Sequence, residues 1–292
     1  MPKKKDINKN ILGIIGGSGL YRMEGLKKLR EVSVNTPFGK PSDSLVYGEI
    51  DGKELIFIPR HARGHKILPQ EVNYAANIYA LKAAGVTKII SVSAVGSLKT
   101  NIKPGDIVIV DQFFDFTKNR KNTFFGSGIV AHVSMAEPVC PYLRSITVNS
   151  CKRLEIKYHA KGTYFCIEGP QFSSKAESVF FKNSGLDIIG MTNATEAKLA
   201  REAGLCYTTI AMSTDYDCWH EEEDNVTAGM ILKILNENAE KAKNIIRDAI
   251  KYIDFSNKGC GCHLSLDKAI ITAKKDVPEE TLKKLSIFNL YN

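Results

Sequence analysis

The stretch Asn10–Leu20, with the sequence NILGIIGGSGL, joins a short apolar run to a glycine-rich turn. The apolar run before Gly16–Gly19 predicts a buried β-strand that delivers the turn at its carboxyl end. Because glycine lacks a Cβ atom, the N–H groups of this turn and the Ser18 hydroxyl can converge on one phosphate. The spacing departs from the dinucleotide-binding fingerprint, since Arg22 stands at its third glycine position. The stretch alone leaves two interpretations open: an anion-binding turn, or a turn that only ends a core strand.

Composition predicts one large α/β domain. The chain has 292 residues, of which 43% are hydrophobic, and it contains no low-complexity linker. We therefore expect a single domain over residues 1–292, with a basic N-terminal tail at 1–9 and a C-terminal tail at 255–292 that ends in a short helix. The net charge of +8 is scattered and lacks stacking or groove-reading motifs, so no nucleic-acid partner is expected. No stretch approaches the roughly 20 apolar residues of a membrane span, which predicts no membrane partner and a cytoplasmic location.

Other apolar runs, like the first one, predict buried strands that end in turns of small residues. Lys88–Val92 runs into Ser93-Ala94, and Leu186–Gly190 runs into Met191-Thr192, with helical patterns between the strands. Alternating strands and helices predict a mainly parallel or mixed sheet that is covered by helices on both faces. Ligands bind at the carboxyl edge of such sheets, so the small-residue turns are candidate site residues.

A basic segment, Arg60–Lys66 (RHARGHK), follows another predicted strand. Arg60 can hold an oxyanion through two parallel N–H donors, which favours a phosphate site. A basic surface loop remains the alternative from this segment alone.

Two carboxylates, Asp215 and Asp217, come just beyond the predicted strand Leu205–Met212. They suit a metal pair, a general acid or capping of the next segment. A metal would need more oxygen ligands, and Glu221–Asp224 is interpreted as a solvated acidic run, so no metal is expected.

Seven cysteines are expected as thiols in the cytoplasm, yet Cys260 and Cys262 flank a single glycine beside His263. A zinc site would need a fourth ligand and usually a wider spacing, so metal is not predicted. A disulfide inside Cys-Gly-Cys is strained but possible, and intracellular disulfides do occur in hyperthermophiles. Only three glutamines fit a heat-adapted, thermostable protein, whereas abundant asparagine argues against it.

Nine motifs in a fixed order closely resemble the 5′-methylthioadenosine phosphorylases of the trimeric purine nucleoside phosphorylase family. The resemblance spans about residues 10–245, and the Cys-Gly-Cys tail resembles thermophilic archaeal members. The motifs are GIIGGSGL, TPFGKPSD, RHARGHK, SAVGSL, PGDIVIVDQF, MAEPVCP, EGPQFSS, MTNATEAKLAREAG and STDYDCW. The resemblance implies a single α/β domain with a central mixed sheet flanked by helices. It also implies a homotrimer or a dimer of trimers that needs no metal or organic cofactor.

The implied reaction is phosphorolysis, in which inorganic phosphate displaces adenine from methylthioadenosine to give 5-methylthioribose 1-phosphate. The phosphate-binding residues implied by the resemblance are Ser18, Arg60, His61, Ser93, Ala94 and Thr192. Asp215 is implied to protonate purine N7, while Asp217 accepts from the 6-amino group. Phe172 is implied to pack on the base and Met191 to meet the ribose. The implied 5′ pocket consists of Ala228, Ile231 and Leu232, together with His132 from a neighbouring subunit.

Substrate range and cysteine pairing complete the expectations. A carboxylate accepts from a 6-amino group but faces a 6-oxo group acceptor to acceptor, so the aspartates favour adenine. A broader purine nucleoside phosphorylase is the close alternative, and a non-catalytic nucleotide- or nucleic-acid-binding protein is the distant one. Ser18 and Ser93 stand where relatives often have threonine, which keeps the hydroxyl. By the archaeal resemblance, Cys260 and Cys262 are candidates for an oxidised pair and Cys140 and Cys206 for a second bridge, while the sequence alone leaves their connectivity open.

Overall fold

The computed structural model describes residues 11–17, 19–220, 228–288 and 290–291. Its strands form one mixed sheet of eleven members within this part of the chain. The strands are β1 (Ile11–Gly16), β2 (Lys27–Val32), β3 (Leu45–Ile50), β4 (Lys53–Pro59), β5 (Lys88–Ser97), β6 (Ile107–Ile109), β7 (Gln112–Asp115), β8 (Tyr158–His159), β9 (Thr163–Cys166), β10 (Ile188–Gly190) and β11 (Cys206–Asp215).

Helices cover both faces of this sheet. They are α1 (Tyr74–Ala83), α2 (Pro141–Arg153), α3 (Lys175–Asn183), α4 (Asn193–Glu202), α5 (Ala228–Tyr252) and α6 (Glu279–Lys284). The architecture confirms the predicted α/β class with a central mixed sheet flanked by helices. Within the described residues, no helix is both long enough and apolar enough to cross a membrane.

The first strand shows why its sequence is apolar at nearly every position. All six residues of β1 are buried, because the strand lies between two layers of helices. Ile11 and Ile15 pack into a cluster with residues of α1 and α4, whereas Leu12 and Ile14 pack with residues of α2 and α5. Alternate side chains of a strand face opposite sides, so β1 contributes to both halves of the core.

Strand register brings several turns to one edge of the sheet. β1 lies between β4 and β5 and is parallel to both, with Gly16 beside Pro59 and Ile15 beside Ser91. β11 is parallel to the other side of β5, and β10 pairs antiparallel with the end of β5. The carboxyl ends of β1, β4, β5 and β11 therefore lie together.

Two local elements have boundaries set by specific contacts. Helix α1 begins at Tyr74, because the Asn73 side chain caps it by accepting from the Ala76 N–H at 3.0 Å. The aromatic residues Phe113 and Phe114 belong to strand β7, which pairs parallel with β9.

The C-terminal tail packs against the domain. Val277, Leu285 and Phe288 are buried in the same core cluster as α1. The predicted short helix is present as α6. The basic N-terminal tail at 1–9 lies outside the described residues.

Candidate active site

The glycine turn after β1 lies directly beside the residues that follow β4. The Arg60 backbone N–H donates to the Gly16 carbonyl at 2.9 Å, continuing the parallel pairing beyond the two strands. A Cβ atom on Gly16 would come within 2.4 Å of the Leu20 side chain. Glycine at this position therefore leaves the room that Leu20 needs to pack against the turn. Ser18, the predicted phosphate ligand of this turn, lies outside the described residues.

Arg60 is held by the protein itself. Its side chain is 4% exposed, and its Nε and Nη2 atoms donate to the two oxygens of Glu196 at 2.5 and 3.2 Å. Nη2 also donates to Ser91 Oγ at 2.7 Å, and Nη1 donates to the Val92 carbonyl at 3.0 Å. Burial alone would lower the pKa of Arg60, but Glu196 raises the pKa above its ordinary value.

Phosphate binding by Arg60 stays a prediction. The bidentate face of the guanidinium meets the Glu196 carboxylate, and among the described residues one N–H of Nη1 remains for another acceptor. Sequence reasoning missed Glu196, which lies in the first turn of α4. The sequence signal for Glu196 was its position just after Met191-Thr192-Asn193. Its ion pair with Arg60 could not be predicted, because the two residues are far apart in the sequence.

His61 is placed to accept a hydrogen bond from a ligand. Its Nδ1 lies 2.8 Å from the Ile67 carbonyl oxygen, which can only accept, so Nδ1 carries the proton and Nε2 has the free lone pair. Burial, followed by the positive charge of Arg60, lowers the pKa of His61 to about 4. Near neutral pH the ring is therefore uncharged and can accept from a protonated phosphate oxygen.

A buried tyrosine joins two further predicted ligands. Tyr164 Oη lies 3.3 Å from Ser93 Oγ and accepts from the Thr192 backbone N–H at 3.4 Å. A Cβ on Gly190 would lie 2.1 Å from this oxygen, so glycine is required there. Thr192 directly precedes α4, whose N-terminal N–H groups favour an anion, and the neighbouring Ala94 is exposed. The structure thus brings Ser93, Ala94 and Thr192 to the edge that holds Arg60 and His61.

The two predicted base-contacting aspartates lie at the end of β11. Asp215 Oδ1 accepts from the Asp217 backbone N–H at 2.8 Å, and its Oδ2 accepts from the Thr214 hydroxyl at 2.7 Å. Asp217 Oδ2 accepts from Ser178 Oγ at 2.5 Å. A Cβ on Gly96 of β5 would lie 2.9 Å from Asp215 Oδ1, so a glycine opposite the pair gives it room.

The environment of Asp217 shifts its acidity. Burial raises the pKa of Asp217, and the neighbouring Asp215 charge raises it further, while hydrogen bonds from Ser178 and Ser173 oppose this. Sequence reasoning missed Ser178, which belongs to α3 and approaches only in the folded chain.

Two loops frame the space next to the aspartates. Arg120 connects them, because its Nη2 donates to the Glu168 carbonyl at 2.6 Å and its Nη1 donates to the Met191 carbonyl. Its Nε also contacts the Glu168 carboxylate at 2.9 Å. Phe172, which follows Glu168, is 86% exposed and available for packing on a ligand.

The remaining predicted substrate residues are less fully described. Ala228 begins α5 and Ile231 and Leu232 follow in its first turns, but their side chains lie outside the described residues. His132 is exposed, and its backbone N–H donates to the Ala269 carbonyl at 2.8 Å. Its contact with a second subunit stays a prediction.

The cysteines differ from the expected pairing. All seven are free thiols, so the structure contains neither the Cys260–Cys262 nor the Cys140–Cys206 disulfide. The sulfur atoms of four of them instead lie within 4.8 Å of one another in a single cluster, which consists of Cys140, Cys206, Cys260 and Cys262. The two predicted pairs are one group, because chain segments distant in sequence meet at the start of β11.

Comparisons with known proteins agree with the motifs. A family model described as the phosphorylase superfamily matches residues 11–251. The S-methyl-5′-thioadenosine phosphorylase of Geobacter sulfurreducens is 52% identical over 278 residues, which cover 95% of this chain and 97% of that protein. The protein of the same name from Thermofilum pendens is 52% identical over 260 residues, covering 89% and 98%. A crystal structure of a methylthioadenosine phosphorylase from an Antarctic soil metagenomic library has a TM-score of 0.91 at 48% identity, covering 95% of this chain and 98% of that one. The chain therefore belongs to the methylthioadenosine phosphorylases of the phosphorylase superfamily.

Proposed function

We propose that this protein cleaves 5′-methylthioadenosine with inorganic phosphate, releasing adenine and 5-methylthioribose 1-phosphate. The observation that carries the proposal is the register of β5, which holds Ser93-Ala94 on one side of the edge and faces Asp215 at Gly96. Groups suited to phosphate thus lie on β5, and groups suited to a purine lie beside its end, at the end of β11. Phosphate is itself the nucleophile, so the proposed reaction uses no protein nucleophile and no metal or organic cofactor.

The aspartate pair accounts for leaving-group activation in this proposal. As the glycosidic bond stretches, negative charge grows on the purine, and a proton or hydrogen bond at N7 stabilises it. We assign N7 to Asp215 and the 6-amino group to Asp217. The hydrogen bond from the Asp217 backbone N–H to Asp215 Oδ1, at 2.8 Å, fixes the two carboxyl groups side by side and supports this assignment.

We also propose that subunits associate, as a homotrimer or a dimer of trimers, to complete the nucleoside side of the site. Phe172 and His132 are both exposed in the single chain, which supports their coverage by a ligand or a neighbour. Light scattering of the purified protein tests this, and a monomer at assay concentrations would contradict it.

A comparison of three nucleosides tests the reaction. We expect phosphate-dependent adenine release from methylthioadenosine, less efficient cleavage of adenosine and little cleavage of inosine. Equal kcat/KM for inosine and methylthioadenosine would instead establish the broader purine nucleoside phosphorylase. Salt-sensitive binding of oligonucleotides without any adenine release would contradict an enzyme of either kind.

A further inference from the structure

Four cysteines that are distant in sequence meet in one cluster far from the proposed reaction. Cys140 precedes α2, Cys206 begins β11, and Cys260 and Cys262 belong to the C-terminal tail. We propose that these four thiols form a structural zinc site that anchors the C-terminal tail to the α/β domain. The site is separate from the substrate residues at the opposite, carboxyl end of β11.

The spacing of the sulfur atoms fits this coordination. Zinc binds thiolates at about 2.3 Å in a tetrahedron, so the sulfurs of a four-cysteine site lie about 3.8 Å apart. In the protein every pair of these sulfurs is within 4.8 Å, and the Cys206 and Cys260 sulfurs are 3.5 Å apart. Small side-chain rotations would place all four around one ion.

The elements that supply the ligands also favour thiolates. Cys140 is the N-cap of the thirteen-residue helix α2, and its Sγ accepts from the Leu143 N–H at 3.4 Å. The amino end of a helix stabilises a negative sulfur. Gly261 adopts φ 69°, and a Cβ there would meet nothing within 4 Å, so the Cys-Gly-Cys turn needs glycine for its backbone conformation rather than for space.

A buried cation offsets part of the expected charge. Four thiolates around Zn²⁺ carry a net charge of −2, and such a group inside a protein needs positive partners. Lys88 is 2% exposed, and its Nζ lies 3.9 Å from Cys206 Sγ and donates to the Asn257 carbonyl at 3.2 Å. Three of the four sulfurs are also in buried residues, which shields the site from water.

The site would connect the tail to the segment that carries His132. Ser265 Oγ donates to the Arg201 carbonyl at the end of α4, three residues after Cys262. Further along, the Ala269 carbonyl accepts from the His132 N–H, and Ala131 pairs with Ile270. Metal binding therefore stabilises the whole run from Cys260 to Ile270 against the domain.

Metal content of the reduced full-length protein tests the proposal. The protein is purified with reductant and without chelator, and zinc is measured by plasma mass spectrometry. We expect about one zinc ion per chain, and about a tenfold loss of bound zinc in Cys262→Ser and Cys140→Ser. Cys218→Ser, at an exposed cysteine outside the cluster, and Cys151→Ala, within α2, are the matched controls and should keep their zinc.

Cobalt substitution reports the ligand set independently of stability and activity. Co²⁺ added to the reduced, metal-free protein should produce the thiolate charge-transfer and intense visible bands of a tetrahedral sulfur site. Cys260→Ser, at the half-buried ligand, should weaken these bands even if the Cys262 variant fails to fold. No cobalt spectrum, zinc retained equally by all variants, or two disulfides in protein alkylated before lysis would each overturn the proposal.

Discussion

The phosphate edge and the purine edge of the proposed site are built differently. At the phosphate edge, Arg60, Glu196 and Ser91 are buried and hydrogen-bonded to one another. At the purine edge, the Asp215–Asp217 pair is partly buried, while the nearby Phe172 is 86% exposed. The difference fits the proposed function, in which the phosphate edge is built within one chain and the nucleoside edge is completed by substrate or by a second subunit.

The largest expected effect separates the chemistry of the purine edge from phosphate binding. Asp215→Asn removes the proposed proton donor, so we expect kcat on methylthioadenosine to fall by about 10² to 10⁴. The KM for phosphate should change little, because phosphate lies at the other edge. Initial rates at varied phosphate measure both constants. Asp267→Asn, at an exposed carboxylate of the tail, is the control, and an unchanged kcat in Asp215→Asn would remove Asp215 from this role.

The phosphate edge should respond mainly through stability when its buried ion pair is broken. Glu196→Gln leaves the Arg60 charge without its carboxylate, and we expect the free energy of unfolding to fall by about 3 to 5 kcal/mol. Denaturant titration measures this change. The double variant Arg60→Met with Glu196→Met should recover much of the loss, because it removes both charges. A single variant as stable as the parent would show that the pair is not a structural unit.

The pH dependence of stability tests the neutral state of His61. Its pKa is lowered to about 4 in the folded chain from an ordinary value of 6.5. The unfolded chain therefore binds the proton first as pH falls, so the His61 contribution is present above pH 6.5 and is lost between 6.5 and about 4. His61→Gln should unfold with a weaker pH dependence across that window. Identical pH profiles for the two proteins would contradict the assignment.

The smallest expected effect concerns Phe172 at the purine edge. Phe172→Ala should change the free energy of unfolding by less than about 0.5 kcal/mol, because the ring is exposed. We expect a several-fold rise in KM for the nucleoside and no change in KM for phosphate. Phe180→Ala, at another exposed phenylalanine, is the control for loss of a surface ring. Equal kinetic effects of the two variants would leave Phe172 without a specific role.

Particular residues show which features were predictable. The buried strand β1 and its glycine turn were visible, because an apolar run that stops at glycines is a local signal. Helix α2 was not predicted, since its polar and charged residues gave no clear apolar stripe. Glu196 and Ser178 were missed for another reason, because each acquires its role from a partner far away in the chain.

The sequence by itself determined the α/β class and the family, and it predicted the edge of the sheet for the site. These follow from periodicity, turn residues and ordered motifs, which are properties of short segments. Only the tertiary structure decided that Glu196 occupies the Arg60 fork, that burial and Arg60 lower the pKa of His61, and that four cysteines share one cluster. Hydrogen bonding, desolvation and coordination depend on distances between segments, and those distances exist only after the chain has folded.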